Sequence, residues 1–160
     1  MIYILDGYNL LFTLTESDHP LAKQRQKIIR FLQKKFATFK MDGLLVFDGR
    51  IRYGEESGRS YPNPLEVVFT PKGQSADQFI VERIESSQNP RQVTVVTNDR
   101  GLMANARSLG AKTIGTAPFI EWLLNRRKKT ATPKPHIADT KQNIDRLLII
   151  FEERLKEDDE

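Results

Sequence analysis

Four aspartates stand where apolar runs give way to turns: Asp6, Asp48, Asp77 and Asp99. Asp6 closes the run Ile2 to Leu5, and Asp48 closes Leu44 to Phe47. Asp99 follows the run Val93 to Thr97, and Asp77 follows Ser75-Ala76 behind a Pro71-Lys72-Gly73 turn. Carboxylates gathered in one place repel each other, by about 4 kcal/mol per pair at ~4 Å and an effective dielectric of ~20. Such a cluster persists when a cation holds it. Oxygen donors alone suit Mg²⁺ or Mn²⁺ rather than zinc. An ion of that kind aligns a water against a phosphodiester and stabilises the leaving oxygen. Asn9, Thr97 and Asn98 are placed to orient a carboxylate or a bound water.

Each acid also has a plain structural reading. Asp6-Gly7, Asp42-Gly43 and Asp48-Gly49 are ordinary turn dipeptides. Asp77 in a first helical turn is favoured by the helix dipole alone. Either Asp99 or Asn98 makes a good helix N-cap. Taken singly, each acid reads as structural. The elements that would carry them change the balance for Asp6, Asp77 and Asp99 and leave Asp48 between the two readings.

Those elements are strands and helices in alternation. Ile2 to Leu5 is apolar throughout and stops at a turn, as a strand buried on both faces does. Thr13 to Pro20 is polar. Leu21 to Phe39 repeats apolar residues every three or four positions and predicts a helix, ended by Asp42-Gly43. Leu44 to Phe47 predicts the second strand, Leu65 to Thr70 the third. Ser75 predicts a helix cap ahead of Phe79, Ile80 and Ile84. Val93 to Thr97 is wholly β-branched and is the clearest strand. A helix from Asp99-Arg100 to Leu109, a strand Lys112 to Gly115 and a helix from Ala117-Pro118 through Leu124 follow. The order predicts an α/β three-layer sandwich with a mostly parallel central sheet. In such a sheet ligands gather at the carboxyl ends of the strands, where the acids fall. Trp122 and its aliphatic neighbours read as core.

The domain is expected over residues 1–125, followed by a basic, Pro-containing linker (126–140) and a C-terminal helix with an acidic end (141–160). Arg126 to Lys129 reads as a solvated helix end, and His19 and His136 as surface groups. Between the second and third strands, Arg50, Arg52 and Arg59 alternate with Tyr53 and Tyr61. Arginines suit a phosphate backbone and tyrosines stack on unpaired bases. Lys72 and Arg100 belong with them as cations beside the acids. The net charge of +4 and pI of about 9.4 are compatible with a polyanionic partner. With no cysteine, disulfides and thiolate sites are excluded. No apolar run approaches the ~20 residues that span a bilayer, and the N-terminus lacks the basic and apolar regions of a secretory signal. A cytoplasmic protein is expected.

Four segments, Ile4-Leu5-Asp6-Gly7-Tyr8-Asn9, Val46-Phe47-Asp48-Gly49, Ser75-Ala76-Asp77-Gln78-Phe79-Ile80 and Val96-Thr97-Asn98-Asp99-Arg100, together resemble the NYN domain family, in particular its YacP-like branch among the PIN-like nucleases. The resemblance covers about residues 1–125. It implies a PIN-like fold and a metal-dependent endoribonuclease using Mg²⁺ or Mn²⁺. It also implies single-stranded messenger RNA as substrate and the ribosome as a partner. Asp6, Asp77 and Asp99 are the implied metal and catalytic acids, with Asp48 a fourth candidate and Asn9 and Asn98 ordering the site.

Other folds place acids similarly. A haloacid dehalogenase-type phosphatase needs a second aspartate two residues after the first, where this chain has Tyr8. A phosphorylation receiver usually carries adjacent acids after its first strand, and only Asp6 is there. A dinucleotide site needs a Gly-rich loop, and Gly7 alone does not make one. The rival from another class is a module on the same fold that grips RNA or the ribosome without cutting. Clustered negative charge facing RNA argues against it.

Overall fold

The structure is a computed structural model that describes residues 1–14, 20–49, 64–126, 148–151 and 153. Its centre is a five-stranded sheet, parallel at every pairing. The strands are β1 (Ile2–Asp6), β2 (Asp42–Phe47), β3 (Leu65–Phe69), β4 (Val93–Val96) and β5 (Lys112–Ile114), in the order β3-β2-β1-β4-β5. The helices are α1 (Gly7–Leu14), α2 (Leu21–Thr38), α3 (Ala76–Glu85), α4 (Arg100–Ser108) and α5 (Thr116–Asn125).

Alternation along the strands builds two cores. Tyr3, Leu5, Leu45, Phe47 and Val67 face α1, α2 and α5. Ile4, Leu44, Val46, Val93 and Val95 face α3 and α4. The three layers are those the strand-helix alternation predicts, with the first-made strand in the middle. Trp122, expected in the core, is half-buried and packs against its edge beside Tyr3 and Phe119.

Three local expectations need correction. Gly7 to Leu14 forms a helix directly off β1, where the sequence suggested a turn at Asp6-Gly7 and a polar stretch from Thr13. The adjacent pair Leu10-Leu11 hides the helical period, yet Tyr8, Leu10, Leu11 and Leu14 are all buried. Asp42-Gly43 opens β2 instead of ending α2. The stop is Lys40, which takes a left-handed φ of 52° and lets the Met41 N–H donate to the Phe36 carbonyl at 2.8 Å. Arg126 is not a solvated helix end: its guanidinium lies 4.6 Å from the Trp122 ring centre and 5.0 Å from that of Phe39. Residues 127–147, with the rest of the basic run and the linker, lie outside the described residues. Of the C-terminal helix, residues 148–151 and 153 are helical, and Phe151 inserts edge-on against Phe31 at 5.0 Å.

Two glycines allow close approach at the carboxyl edge. A Cβ on Gly7 would lie 2.5 Å from Phe47 Cδ1 and 2.7 Å from the Val46 carbonyl oxygen. A Cβ on Gly49 would lie 1.8 Å from the Thr70 carbonyl oxygen, and backbone cannot step aside as a side chain can. Gly49→Ala is expected to cost about 3 kcal/mol, whereas Gly73→Ala, with nothing within 4 Å, should stay within ~0.5 kcal/mol. Urea denaturation of the two variants measures both. Equal midpoints would show that the β2 end yields easily.

Candidate active site

The strand order reverses between β1 and β4, so the sheet opens a crevice at the carboxyl ends of those two strands. Asp6 is the last residue of β1 and lies in that crevice, 7% exposed. Leu5 pairs with Val96, which sets the next residue of each chain side by side. The Thr97 hydroxyl accordingly donates to Asp6 Oδ2 at 3.0 Å. The Thr97 hydroxyl oxygen in turn accepts the Asp99 backbone N–H at 3.0 Å. One buried threonine thus orients the Asp6 carboxylate and the backbone that carries Asp99. Asp99 also caps α4, its Oδ1 accepting the Leu102 N–H at 3.0 Å, so its capping role and its place at the crevice coexist.

Asn98 is the hub behind this edge. Its backbone N–H donates to Asn9 Oδ1 at 2.7 Å. Its Nδ2 donates to the Thr116 hydroxyl at 2.8 Å and to that of Thr13 at 3.4 Å. Its Oδ1 accepts the Thr116 N–H at 3.0 Å. The β4 end, α1 and the start of α5 are locked together by one amide. Thr13 and Thr116 carry no sequence pattern that would have singled them out.

Asp77 arrives from the other side, in the first turn of α3. A capping box fixes that turn: the Gln78 N–H donates to Ser75 Oγ at 3.1 Å, and the Ser75 N–H to Gln78 Oε1 at 2.9 Å. The expected Ser75 cap is therefore present. Thr70, which sequence reasoning missed, ties the approach to the sheet. Its hydroxyl accepts the Gly49 N–H at 2.9 Å and donates to the Gln74 carbonyl at 2.7 Å. Asp48, between Phe47 and Gly49, is buried at the end of β2, the strand next to β1.

Three acids act on one another at this edge. Burial pushes the Asp6 carboxyl up to about 7, and the negative charges of Asp77 and Asp99 push in the same direction. The Thr97 hydroxyl and a backbone bond at Asn9 oppose the rise without cancelling it. A buried acid raised by two further acids is a site short of positive charge. Its donors are all oxygen, which fits a hard divalent cation. Among the described residues no three metal-binding side chains stand close enough to enclose an ion by themselves. Such cations keep several waters and take only one or two carboxylates plus substrate phosphate, so the set still fits.

Of the expected RNA contacts, Lys72 is exposed in the turn before α3 and Arg100 is exposed as the first residue of α4. Arg50, Arg52, Tyr53, Arg59 and Tyr61 lie outside the described residues, as do His19 and His136. A further cation is unexpected: Arg25 of α2 is 2% exposed, donates from Nη1 to the Tyr8 hydroxyl at 3.0 Å and covers the Phe69 ring at 5.7 Å. In a helix rich in Lys and Arg, nothing in the sequence distinguishes the one that is buried. Among the described residues no helix is long and apolar enough to cross a membrane.

Comparison with known proteins agrees with the fold. The crystal structure of Rae1 (YacP) from Bacillus subtilis superposes with a TM-score of 0.65 at 17% identity, over 99% of this chain and 83% of that one. A point variant of the same protein gives 0.62 at 18% identity, over 77% and 74%. At such identities the likeness shows the fold. Among curated proteins none matches the chain by sequence. The YacP-like NYN domain matches residues 3–158, nearly the whole chain and the tail with it, and the chain belongs to that family.

Proposed function

We propose that the chain is a divalent-cation-dependent endoribonuclease that cuts single-stranded RNA. The observation that carries this reading is the buried Asp6, raised to about 7 with Asp77 and Asp99 adding to the rise. A fold does not accumulate uncompensated negative charge at a crevice unless a cation offsets it. A module that only gripped RNA would gain nothing from that charge.

One or two of Asp6, Asp77 and Asp99 would bind Mg²⁺ or Mn²⁺ directly and the rest through its waters, with Asp48 a fourth acid at the same edge. The ion supplies a more acidic water and neutralises charge on the phosphate when bound. Thr97 keeps Asp6 pointed into the crevice, and Asn98 with Asn9 keeps the β4 end from drifting. Lys72 and Arg100 hold the phosphate backbone beside the acids, with Arg50, Arg52, Tyr53, Arg59 and Tyr61 as the further contacts that the family resemblance and their residue types suggest. A positioned water would attack phosphorus while losing a proton to solvent, and the bond from phosphorus to the leaving sugar oxygen would break on the opposite side, that oxygen taking a proton from solvent. We infer a cytoplasmic enzyme acting on messenger RNA, with the ribosome as the partner that the resemblance implies.

The test is cleavage of a long, largely unpaired RNA with Mn²⁺ or Mg²⁺ by the wild type and Asp77→Asn, with EDTA as control. Cleavage by the wild type alone, abolished by EDTA, is expected. Mn²⁺ should also raise the wild-type melting temperature, since a ligand bound only to the folded state stabilises it. Equal cleavage by both proteins would remove Asp77 from the site. Absence of cleavage, on free RNA and on translating ribosomes alike, together with no Mn²⁺ shift, would leave the non-catalytic binding module.

A further inference from the structure

Helix α1 buries Tyr8, Leu10, Leu11 and Leu14, yet its Phe12 is 57% exposed. A lone exposed apolar residue is ordinary on a protein surface. Phe12 differs in how it is held. Its ring lies on that of Tyr8, with centroids 5.6 Å apart and planes 16° apart. The contact is offset, so Tyr8 steadies the ring while more than half of it stays open to solvent. Tyr8 is fixed in turn. It is 4% exposed, its hydroxyl accepts from the buried Arg25 guanidinium at 3.0 Å, and its ring meets Phe47 at 5.0 Å and 63°. Phe47 stacks on Phe69 at 5.3 Å. The plane of Phe12 is therefore set by a stack rooted in the core, and little freedom is lost when something flat lands on it.

The platform lies on the helix that leaves the carboxyl end of β1, the end that carries Asp6. Helix α1 begins at Gly7, the residue after Asp6, and at ~1.5 Å per residue Phe12 lies about 8 Å along it. Lys72 and Arg100 are exposed at the same edge of the sheet. A flat aromatic face, two cations and a carboxylate crevice together match one ligand chemistry, an unpaired nucleobase on a phosphodiester backbone. Every base has a π face, so stacking tolerates sequence, while a duplex hides both faces of its bases.

We propose that Phe12 is a stacking platform for an unpaired base of the RNA strand whose backbone lies against Asp6, Asp77 and Asp99. This rests on the ribonuclease reading for the strand's course and deepens it, because it makes single-strandedness a requirement of the site. The Tyr8 ring beneath and the Arg25 guanidinium behind it act as positioning groups.

Binding and cutting separate the two ideas. In the Asp77→Asn background, the affinity for a short fluorescent uridine oligonucleotide is measured by anisotropy. Adding Phe12→Ala should weaken it about tenfold, and Phe12→Trp should restore it, because stacking on an aromatic contributes that much per base. Binding to the corresponding duplex should not respond to Phe12→Ala. Equal affinity of the Phe12 and Phe12→Ala chains overturns the platform, and so does a loss that Phe12→Trp fails to restore. Phe12 is exposed, so the fold should survive, and matched melting curves check it. Cleavage by the chain that retains Asp77, run in parallel, reads the other idea. Cutting with Phe12-independent binding leaves the nuclease without this platform, and Phe12-dependent binding without cutting leaves the platform without the nuclease.

Discussion

Replacing Asp6 with asparagine should make the metal-free protein more stable and disable it. The Asp6 carboxyl rises from 3.8 to about 7, chiefly through burial. The unfolded chain gives up this proton near pH 4, whereas the folded protein holds it to about pH 7. Between those values the unfolded state binds fewer protons, so this group's contribution to stability falls as pH rises and levels off above about 7. At ~1.4 kcal/mol per pH unit, the ionised carboxylate costs the folded protein on the order of 4 kcal/mol at pH 8. Asparagine keeps the shape, and its oxygen can still accept the Thr97 hydroxyl. Asp6→Asn should therefore melt about 8–16 °C higher than the wild type at pH 8 in EDTA, with the two curves converging towards pH 4. RNA cleavage should drop by at least about a hundredfold, beyond the ~10–100-fold typical of losing a group behind a metal ligand. Circular dichroism melts across this pH range decide the first part. A variant that melts at or below the wild type at every pH would mean that the Asp6 charge is already compensated.

Asn98→Ala should have the opposite sign. It removes the side-chain bonds to Thr13 and Thr116 and leaves the Thr116 N–H, which Asn98 Oδ1 accepts at 3.0 Å, without that partner. Each partly buried polar group left unpaired costs about 1–3 kcal/mol, so a loss of about 3 kcal/mol in urea denaturation is expected. The backbone bond from Asn98 N–H to Asn9 survives the substitution. Asn98→Asp is the informative companion. It can still accept the Thr116 N–H, but it loses its donors and adds a charge beside Asp6 and Asp99. It should be destabilised most at high pH, whereas the deficit of Asn98→Ala should vary little with pH. Parallel pH profiles for the two variants would contradict this account of the hub.

What the sequence discloses and what it hides divide along physical lines. Asp6, Asp77 and Asp99 are legible because strand ends and helix starts write themselves in apolar runs, turn residues and caps. The sheet converts those positions into proximity. Helix α1 is illegible because it opens at a glycine, places Leu10 next to Leu11 and lasts only eight residues. Thr70, Thr13 and Thr116 each do their work through one hydroxyl in a loop or at a helix end, where threonine is common and nothing marks the functional one. Arg25 looks like its solvated neighbours in α2 until Tyr8 and Phe69 are seen around it. The Phe151 insertion against Phe31 requires knowing where the chain returns after 22 residues that carry no apolar period of their own until Ile144.

The bond between Thr97 and Asp6 joins residues 91 positions apart, and that between Asn98 and Asn9 joins residues 89 apart. The first-made strand sits between β2 and β4, so it waits for both neighbours before it is enclosed. At ~5–20 residues per second, Asp6 leaves the synthesis machinery on the order of 10 s before Thr97 exists to orient it. Contacts so distant along the chain form slowly and late. A nascent chain that carries Asp6 but not yet β4 has no crevice at all, and its acids become a site only when nearly the whole domain has been made.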